Sequence, residues 1–200
     1  MIWAQLSSPY PVSVIDGCVS SIKFPDHLIR HFPYPGGTKS NFNQSHPEWD
    51  EWVQSDPWMR DFVLALPALS KYLSSSLGGV NVAPFSPKVE LSVLENGGGL
   101  LPHPDTARKA MTAVLYLADP DWDPAWGGNF EVVRAKHRPD RDFTGMNVPW
   151  DEVETVLSVP FVPERLCVMA RTQNSLHGVR PLACPFGRRR RSITVNWMRL

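Results

Sequence analysis

Three features are missing from this sequence, and each absence argues against a class of protein. No apolar run approaches the ~20 residues that cross a bilayer, and the first residues lack a basic segment followed by an apolar one. The cysteines, Cys18, Cys167 and Cys184, are odd in number and show no CxxC spacing, which disfavours a disulfide framework or a structural zinc site. Lys+Arg and Asp+Glu balance at 20 each, which argues against a surface that binds polyanions throughout. We therefore expect a cytoplasmic protein with no membrane or nucleic-acid partner.

The composition that is present describes a folded chain rich in loops. Hydrophobic residues make up 42% and charged residues 20%, as in ordinary globular proteins, and 200 residues suit one domain. Twenty prolines are about twice the usual share of roughly 5%, which favours loops and short strands over long helices. We expect a single domain over residues 1–200, whose oligomeric state the sequence leaves open.

The N-terminal part, residues 1–80, is predicted to support the core with a strand and helices. "PYPVSVIDG" alternates like a strand that ends in a turn, and "PDHLIRHF" has the start signals of a short helix. Residues 33–58 are rich in Pro, Gly, Asn and Trp, which predicts irregular structure. A helix is expected through "MRDFVLALPALSKYLSSSLG", with a kink at Pro67 and a stop at Gly78.

From residue 88 to residue 200 the pattern changes to short β-type runs. These are "VELSVL", "AMTAVLYLA", "NFEVVR", "TVLSVPFV", "RLCVMA", "HGVRPL" and "RSITVNW". Short strands without long helices between them predict a mainly β fold, a jelly-roll core flanked by N-terminal α-helices. The polar insertion at 135–154 is a candidate lid over a site, as is the 33–58 segment, unless the tryptophans of these regions only pack loops on the core.

Two histidines have a context that suits a metal ion. In "LLPHPDTARKA", His103 and Asp105 are two apart, so an extended backbone turns both side chains to one side. "RTQNSLHGVRPL" places His177 at the start of a late strand. Two imidazoles and one carboxylate leave three positions of an octahedral ion open, as suits non-haem Fe(II) that activates O₂. A single histidine is more often structural than a metal ligand. The hypothesis of a metal site therefore depends on His103, Asp105 and His177 together.

The four consecutive arginines near the C-terminus have three readings: a nucleic-acid patch, a solvated cluster, or a guanidinium that holds one anion. In "RRRRSITVNW", strand alternation puts an apolar set on one face and a polar set on the other. The apolar set is Ile193, Val195 and Trp197, and the polar set is Arg190, Ser192, Thr194 and Asn196. The polar face would look into solvent or into a cavity inside the barrel. In "MTAVLYL", Thr112, Val114 and Tyr116 likewise share a face.

The order of these motifs resembles the Fe(II)/2-oxoglutarate-dependent dioxygenases, particularly their prolyl-4-hydroxylase-like branch. The resemblance covers residues 88–197 and rests on His103-Pro-Asp105, "AVLYLADPDWDPAWGGNFEV", "VPERLCVMARTQNSLHGVRPL" and "RRRSITVNW". It implies a double-stranded β-helix (jelly-roll) core. It also implies iron ligation by His103, Asp105 and His177, and 2-oxoglutarate binding by Arg190, with Ser192 and Tyr116 beside it. Arg188 has the same parity as Arg190 and is the alternative, although it lies nearer the loop. Some relatives carry a tyrosine on the strand before His-x-Asp, and "VELSVLENGG" has none.

The resemblance implies an enzyme that hydroxylates an unactivated C–H bond while 2-oxoglutarate is decarboxylated to succinate and CO₂. Its cofactor and co-substrates would be Fe(II), 2-oxoglutarate and O₂, with ascorbate as a candidate reductant. The substrate would be an amino-acid residue such as proline, free or in a peptide, or another small metabolite. Two alternatives are a non-catalytic binding module that keeps the fold and a cupin-type metalloenzyme, whose usual His-x-His pair is absent.

Overall fold

The computed structural model describes residues 1–18, 20–34, 37–83 and 85–199, and strands dominate these ranges. The strands are β1 (Ile2–Leu6), β2 (Val12–Asp16), β3 (Arg30–Tyr34), β4 (Gly37–Asn43), β5 (Phe85–Leu94), β6 (Leu100–His103), β7 (Lys109–Tyr116), β8 (Phe130–Ala135), β9 (Val153–Val159), β10 (Arg165–Ala170), β11 (His177–Val179) and β12 (Arg190–Arg199). The helices are α1 (Trp49–Ser55) and α2 (Pro57–Ser76). Neither helix is long and apolar enough to cross a membrane, within the described residues.

The strands form one continuous sheet in which neighbouring strands are antiparallel. Its order is β1-β2-β10-β7-β12-β5-β4-β6-β11-β8-β9, and β3 pairs with β4. The long strand β12 is hydrogen-bonded to β5 over its full length, from Arg190 opposite Leu94 to Arg199 opposite Phe85. Strand β4 connects the large group of strands to the smaller group β6-β11-β8-β9 by pairing with both β5 and β6. The mainly β prediction is confirmed, and the architecture is consistent with a jelly roll.

The prediction for the N-terminal part was wrong in two places. "PDHLIRHF" contains only a 3₁₀ turn at Asp26–Leu28, because residues from Arg30 onward pair with β4 as strand β3. Residues 33–58 are not irregular, since they contain β4 and α1, although positions 35 and 36 of that range lie outside the described residues. The helices therefore follow the first four strands instead of leading the chain. Gly, Asn and Pro lowered the local propensity here, and sheet pairing overrode it.

Helix α2 was predicted and covers the outer face of the large sheet. Its N-cap Asp56 accepts a hydrogen bond of 2.8 Å from the backbone N–H of Met59. Pro67 lies inside the continuous helix, and Gly78, at φ +79°, follows its end. Met59 and other apolar residues of α2 pack on the outer faces of β5, β7 and β12 in one hydrophobic cluster. The predicted apolar face of β12 therefore packs against a helix, and its polar face is left to point inward.

Trp197 joins β12 to α2, and its loss is expected to weaken the whole fold. The indole is 1% exposed, and its Nε1–H donates to Ser70 Oγ at 2.7 Å. Trp197→Ala should lower the free energy of unfolding by about 3–5 kcal/mol, since it leaves a cavity and removes the hydrogen bond that Ser70 Oγ accepts. Urea unfolding followed by circular dichroism measures this change. Leu64→Ala, at a side chain 73% exposed on α2, should change it by about 0.5 kcal/mol or less.

Candidate active site

A cavity of about 550 Å³ lies inside the sheet, and the inward faces of β5, β7 and β12 form its walls. The predicted alternation is confirmed there. Its lining includes the whole polar set of β12 and three residues of β7, namely Arg190, Ser192, Thr194, Asn196, Lys109, Thr112 and Val114. The apolar partners on β12 lie on the opposite face, in the cluster with α2. The interior is thus polar because these strands alternate.

The three candidate metal ligands meet at this cavity. Strands β6 and β11 are adjacent and antiparallel, and His103 and His177 are directly opposite each other in their register. Asp105 follows β6 by two residues. One ligand atom from each of the three side chains lies within 4.8 Å of the others, and all three residues are buried. The arrangement can hold one metal ion, although the two histidines are distant from each other along the chain.

Backbone carbonyls orient both imidazoles. His103 Nδ1 lies 2.7 Å from the carbonyl oxygen of Leu101, and His177 Nδ1 lies 2.9 Å from that of Ser175. A carbonyl can only accept, so each Nδ1 is assigned the proton and each Nε2 keeps its lone pair for a metal. The ring of Phe130 stacks on that of His177, with centroids 5.2 Å apart. These contacts fix the tautomers and the ring planes.

The carboxylate of Asp105 is held in its ionised form. Thr112 Oγ1 donates to Oδ2 at 2.6 Å, Lys109 forms an ion pair with Oδ1, and Arg171 Nε donates to the backbone oxygen at 3.1 Å. Burial alone would raise the pKa of Asp105, but Lys109 and the two imidazoles together hold it well below its usual range. Burial, assisted by the neighbouring His103, lowers the pKa of His177 to about 4. At neutral pH all three groups are therefore in the form that binds metal.

Arg190 is a buried cation without an acidic partner among the described residues. Its Nε–H donates to the carbonyl oxygen of Gly128 at 2.7 Å, and Nη1 lies 3.5 Å from Ser192 Oγ. The guanidinium carbon is 5.2 Å from the ring centroid of Tyr116 and 4.9 Å from that of Phe161. Burial of an unpaired charge is costly, so a guanidinium held this way on a cavity wall suits an anion.

Tyr116 contributes an unsatisfied hydroxyl beside this arginine. It lies opposite Ser192 in the pairing of β7 with β12. Its Oη is buried and has no hydrogen-bond partner among the described residues. Burial raises the pKa of Tyr116, so the group stays a phenol that can donate. Tyr116 is not among the residues that line the cavity, and its ring centroid lies 5.2 Å from the guanidinium carbon of Arg190.

Each of the four consecutive arginines has different surroundings. They therefore do not form one free basic patch, which was one interpretation of the run. Arg188 pairs with Asp119 and Asp121, and its guanidinium lies over Trp126. Arg189 pairs with Asp26 and Glu95, and Arg191 pairs with Asp26 and contacts Asp119 at 3.9 Å. Of the four, Arg190 is the one whose side chain reaches the cavity.

The long insertion does not cover the cavity. Phe143 and Val148 of the insertion pack with Val133 and Leu176 in a small separate cluster, and the Val148 N–H donates to the carbonyl of Pro102 at 2.7 Å. No described residue of 135–154 lines the cavity. From the other candidate lid, Asn43, Gln44 and Ser45 do line it. The tryptophans at 49, 52, 122 and 126 pack in the hydrophobic clusters, as loop packing predicts.

Six charged residues of the cavity wall were not singled out from the sequence, and three of them, Lys39, Glu90 and Lys109, form ion pairs there. Lys39 forms an ion pair with Glu90, which also accepts from Asn41 Nδ2 at 3.1 Å. Burial would raise the pKa of Glu90, but Lys39 outweighs it and the pKa is lowered. Alternation in "VELSVL" already places Glu90 on the polar face with Ser92, and that signal could have identified it. The partner lysine comes from a strand that was not predicted.

Gly128 positions the Arg190 guanidinium, and a side chain there is expected to disturb it. Gly128 has φ +94°, and an added Cβ would lie 3.3 Å from the Phe161 side chain. Gly128→Ala should therefore strain the turn by about 1–3 kcal/mol and displace the carbonyl that accepts from Arg190. We expect weaker binding of 2-oxoglutarate, the co-substrate that the resemblance implies, in isothermal titration. Gly145→Ala is the control, because φ there is +77° and no atom lies near the added Cβ. Equal affinity in both variants would contradict this role.

Comparison with known proteins identifies the family of this chain. A family model described as the 2OG-Fe(II) oxygenase superfamily matches residues 89–199. The chain therefore belongs to this superfamily of enzymes, and its cofactor and co-substrates are Fe(II), 2-oxoglutarate and O₂. The donor set at the cavity fits Fe(II), and the buried Arg190 with the orphaned Tyr116 hydroxyl fits a carboxylate.

Solved structures share the fold at low sequence identity. The epimerase SnoN from nogalamycin biosynthesis is 18% identical, with a TM-score of 0.59 over 94% of this chain and 78% of that one. HygX from Streptomyces hygroscopicus, solved with nickel, 2-oxoglutarate and hygromycin B, is 13% identical, with a TM-score of 0.56 over 94% and 82%. A prolyl-4-hydroxylase from Pseudomonas putida is 19% identical, with a TM-score of 0.54 over 85% and 78%. No curated protein sequence matches the chain.

Proposed function

We propose that this chain is a hydroxylase in which His103, Asp105 and His177 hold Fe(II) while Arg190, Ser192 and Tyr116 hold 2-oxoglutarate. One observation carries the proposal. A buried two-histidine, one-carboxylate cluster and a buried guanidinium without an acidic partner among the described residues lie on the walls of the same cavity. The first suits a metal with open coordination positions, and the second suits the far carboxylate of a dicarboxylate.

The protein's share at the metal end is orientation. The carbonyls of Leu101 and Ser175 keep the Nε2 lone pairs of both histidines directed to the ion. The hydroxyl of Thr112 donates to Oδ2 of Asp105 and fixes the carboxylate. Oδ1, which pairs with Lys109 in this structure, would bind the metal in place of that lysine. Because a carboxylate fills this third ligand position, no coordination site is left for a halide. We therefore infer hydroxylation over halogenation.

The protein's share at the other end is recognition of the keto acid. The guanidinium of Arg190 can bind a carboxylate through its Nη atoms, because its Nε is already occupied by Gly128. The hydroxyl of Ser192, which lines the cavity, adds a donor beside it, and we infer a second donor in the Tyr116 hydroxyl, whose ring is next to the guanidinium. Leu94, Val179 and Phe130 supply apolar walls in this region of the cavity. An apolar surrounding strengthens the ion pair and keeps water out.

Bound Fe(II) and 2-oxoglutarate supply the oxidising chemistry: O₂ is consumed, the keto acid becomes succinate and CO₂, and an oxygen atom is inserted into a C–H bond. The substrate approaches from the far end of the cavity, since Arg190 holds 2-oxoglutarate at the deep end. We infer an amino-acid residue, with proline as one candidate, free or in a peptide, or another small metabolite. The structural neighbours include a prolyl-4-hydroxylase and a protein solved with hygromycin B. The proposal therefore includes both an amino-acid residue and a small metabolite as substrate.

The direct test is anaerobic addition of Fe(II) and 2-oxoglutarate. Chelation of the keto acid at an iron held by these three ligands should give a visible metal-to-ligand charge-transfer band. Admission of air should then produce succinate, measured by chromatography. Absence of both the band and succinate would reject the oxygenase and favour a binding module that keeps the fold without the chemistry. A band whose intensity is unchanged in the Asp105→Ala variant would show that the ligand set is wrong.

A further inference from the structure

The outer end of the cavity is lined by cations. We call Lys88, Arg108, Lys109 and Arg199 the basic rim; all four line the same cavity as the metal cluster. Strand β12 runs from Arg190 at the deep end to Arg199 at the rim, roughly 30 Å at ~3.3 Å per residue.

Strand register fixes the rim relative to the candidate ligands. Lys88 lies opposite Asn196 across the β5–β12 pair, and Lys109 lies opposite Met198 across the β7–β12 pair. Asn196 Oδ1 lies 3.1 Å from Thr112 Oγ1, and Thr112 is the residue that holds Asp105. The rim therefore begins one or two residues beyond the metal cluster, on the side away from Arg190.

One backbone hydrogen bond, one side-chain hydrogen bond and a ring contact position the outermost arginines. The Arg199 N–H donates to the carbonyl of Arg108 at 2.7 Å, and Arg108 Nη2 donates to the carbonyl of Arg199 at 3.3 Å. The Arg199 guanidinium lies 5.6 Å from the ring centroid of Phe85. These cations are thus adjacent at the opening.

The charge balance of the cavity leaves this rim uncompensated. The acids that line it, among the described residues, are Glu90 and Asp105, and Glu90 is paired with Lys39. With the metal and 2-oxoglutarate bound, the charges of the divalent ion, Asp105, the dianion and Arg190 cancel. Lys109 then loses its partner Asp105 to the metal. The four rim cations remain as a net positive charge.

Three residues of the basic rim differ from several other arginines of the protein in their lack of acidic partners among the described residues. Arg134, Arg165 and Arg191 each pair with a carboxylate from a distant part of the chain. Lys88, Arg108 and Arg199 form no ion pair with any residue in the described part of the chain. In a chain whose formal net charge is zero, a cluster of unpaired cations at one opening attracts anions to that opening.

We propose that the basic rim binds an oxyanion group of the substrate, a carboxylate or a phosphate, and thereby directs the rest of the molecule toward the metal. This proposal rests on the proposed function, since it takes the same cavity as the active site. It makes Lys88, Arg108 and Arg199 specificity-determining residues, with Lys109 joining them once metal is bound. An amine or a neutral molecule would gain nothing from this rim.

Pyranine, a fluorescent trisulfonate, is a probe for such a surface. The protein is loaded with Mn(II) and 2-oxoglutarate, and pyranine binding is followed by fluorescence anisotropy. The variant K88Q/R108Q/R199Q should bind pyranine about tenfold more weakly, because each lost charge at an exposed position is worth about 0.5 kcal/mol. The control K71Q/R138Q/R141Q removes the same charge from exposed positions outside the cavity and should bind as the unaltered protein does. Undetectable binding to the unaltered protein, or equal weakening in both variants, overturns the proposal.

Displacement of pyranine distinguishes the two oxyanions. Acetate and methyl phosphate are titrated against the complex, with KCl at matched ionic strength as the control. Stronger displacement by acetate identifies a carboxylate site, and stronger displacement by methyl phosphate identifies a phosphate site. Displacement by both no greater than by KCl overturns the proposal. The charge-transfer band distinguishes failure of this inference from failure of the proposed function. A protein that shows the band but does not bind the probe at the rim would refute the inference about the rim alone.

Discussion

Arg190→Ala is expected to weaken 2-oxoglutarate binding by roughly 100-fold while Fe(II) binding persists. The residue has no acidic partner among the described residues, so the carboxylate of the co-substrate would be its counter-ion. Removal of one member of a buried charge pair costs about 2–5 kcal/mol, and roughly 100-fold in affinity corresponds to about 2.7 kcal/mol. The Ser192 and Tyr116 hydroxyls cannot replace the lost charge.

The measurement is a titration of 2-oxoglutarate into the anaerobic Fe(II) protein, with the charge-transfer band as the signal. Arg188→Ala is the matched control, since that side chain pairs with Asp119 and Asp121 outside the cavity. We expect its affinity to stay within about twofold. If Arg188→Ala lost affinity and Arg190→Ala kept it, the assignment within the arginine run would be wrong. A thermal unfolding curve of each variant excludes loss through misfolding.

His177→Ala is expected to abolish the charge-transfer band and succinate formation. The side chain is one of only three protein ligands in the candidate cluster, and its loss leaves one imidazole and one carboxylate. Changes to groups that merely orient a ligand cost about 10–100-fold in metal affinity, so loss of a ligand should cost at least about 100-fold. The vacated space lies beside Phe130, which stacks on the His177 ring.

Metal binding is measured separately from activity by titration with Mn(II) and electron paramagnetic resonance of the free ion. His137→Ala serves as the control, because that histidine is exposed and lies outside the cavity. It should retain the metal affinity and the band of the unaltered protein. Retention of both in His177→Ala would refute the ligand set, provided that circular dichroism shows the strands intact.

Most of the prediction from sequence came from the periodic spacing of apolar and polar residues. Alternation in "RRRRSITVNW" separates Arg190 from Arg191 on local grounds alone, and the two side chains do lie on opposite faces of β12. The apolar pattern of α2 and the glycine at its end were equally local signals. Helix and strand periods are properties of a few consecutive residues, so they survive without tertiary information. The extent of the single domain over 1–200 stays a prediction.

The elements that were missed depend on distant partners. Strand β6 is four residues long and exists because β4 and β11 pair with it. Helix α1 lies within residues 33–58, whose composition favours loops, and the ring of its Trp49 packs 5.2 Å from that of Phe42. The insertion at 135–154 was a candidate lid, with loop packing as the alternative, and its apolar residues pack in a separate cluster with Val133 and Leu176. Composition cannot reveal which surface a segment will meet.

The sequence by itself determined the class of fold, the alternating faces of the long strands and the identity of the candidate ligands. Tertiary structure decided which charges are compensated. The partners of Arg188, Arg189 and Arg191 include carboxylates that lie 67 to 165 positions away along the chain, and an ion pair depends on distance in space. The same physical fact leaves Lys88, Arg108 and Arg199 of the basic rim unpaired. Among the described residues, the carboxylates that line the cavity are Glu90, which pairs with Lys39, and Asp105, which pairs with Lys109 at the metal site.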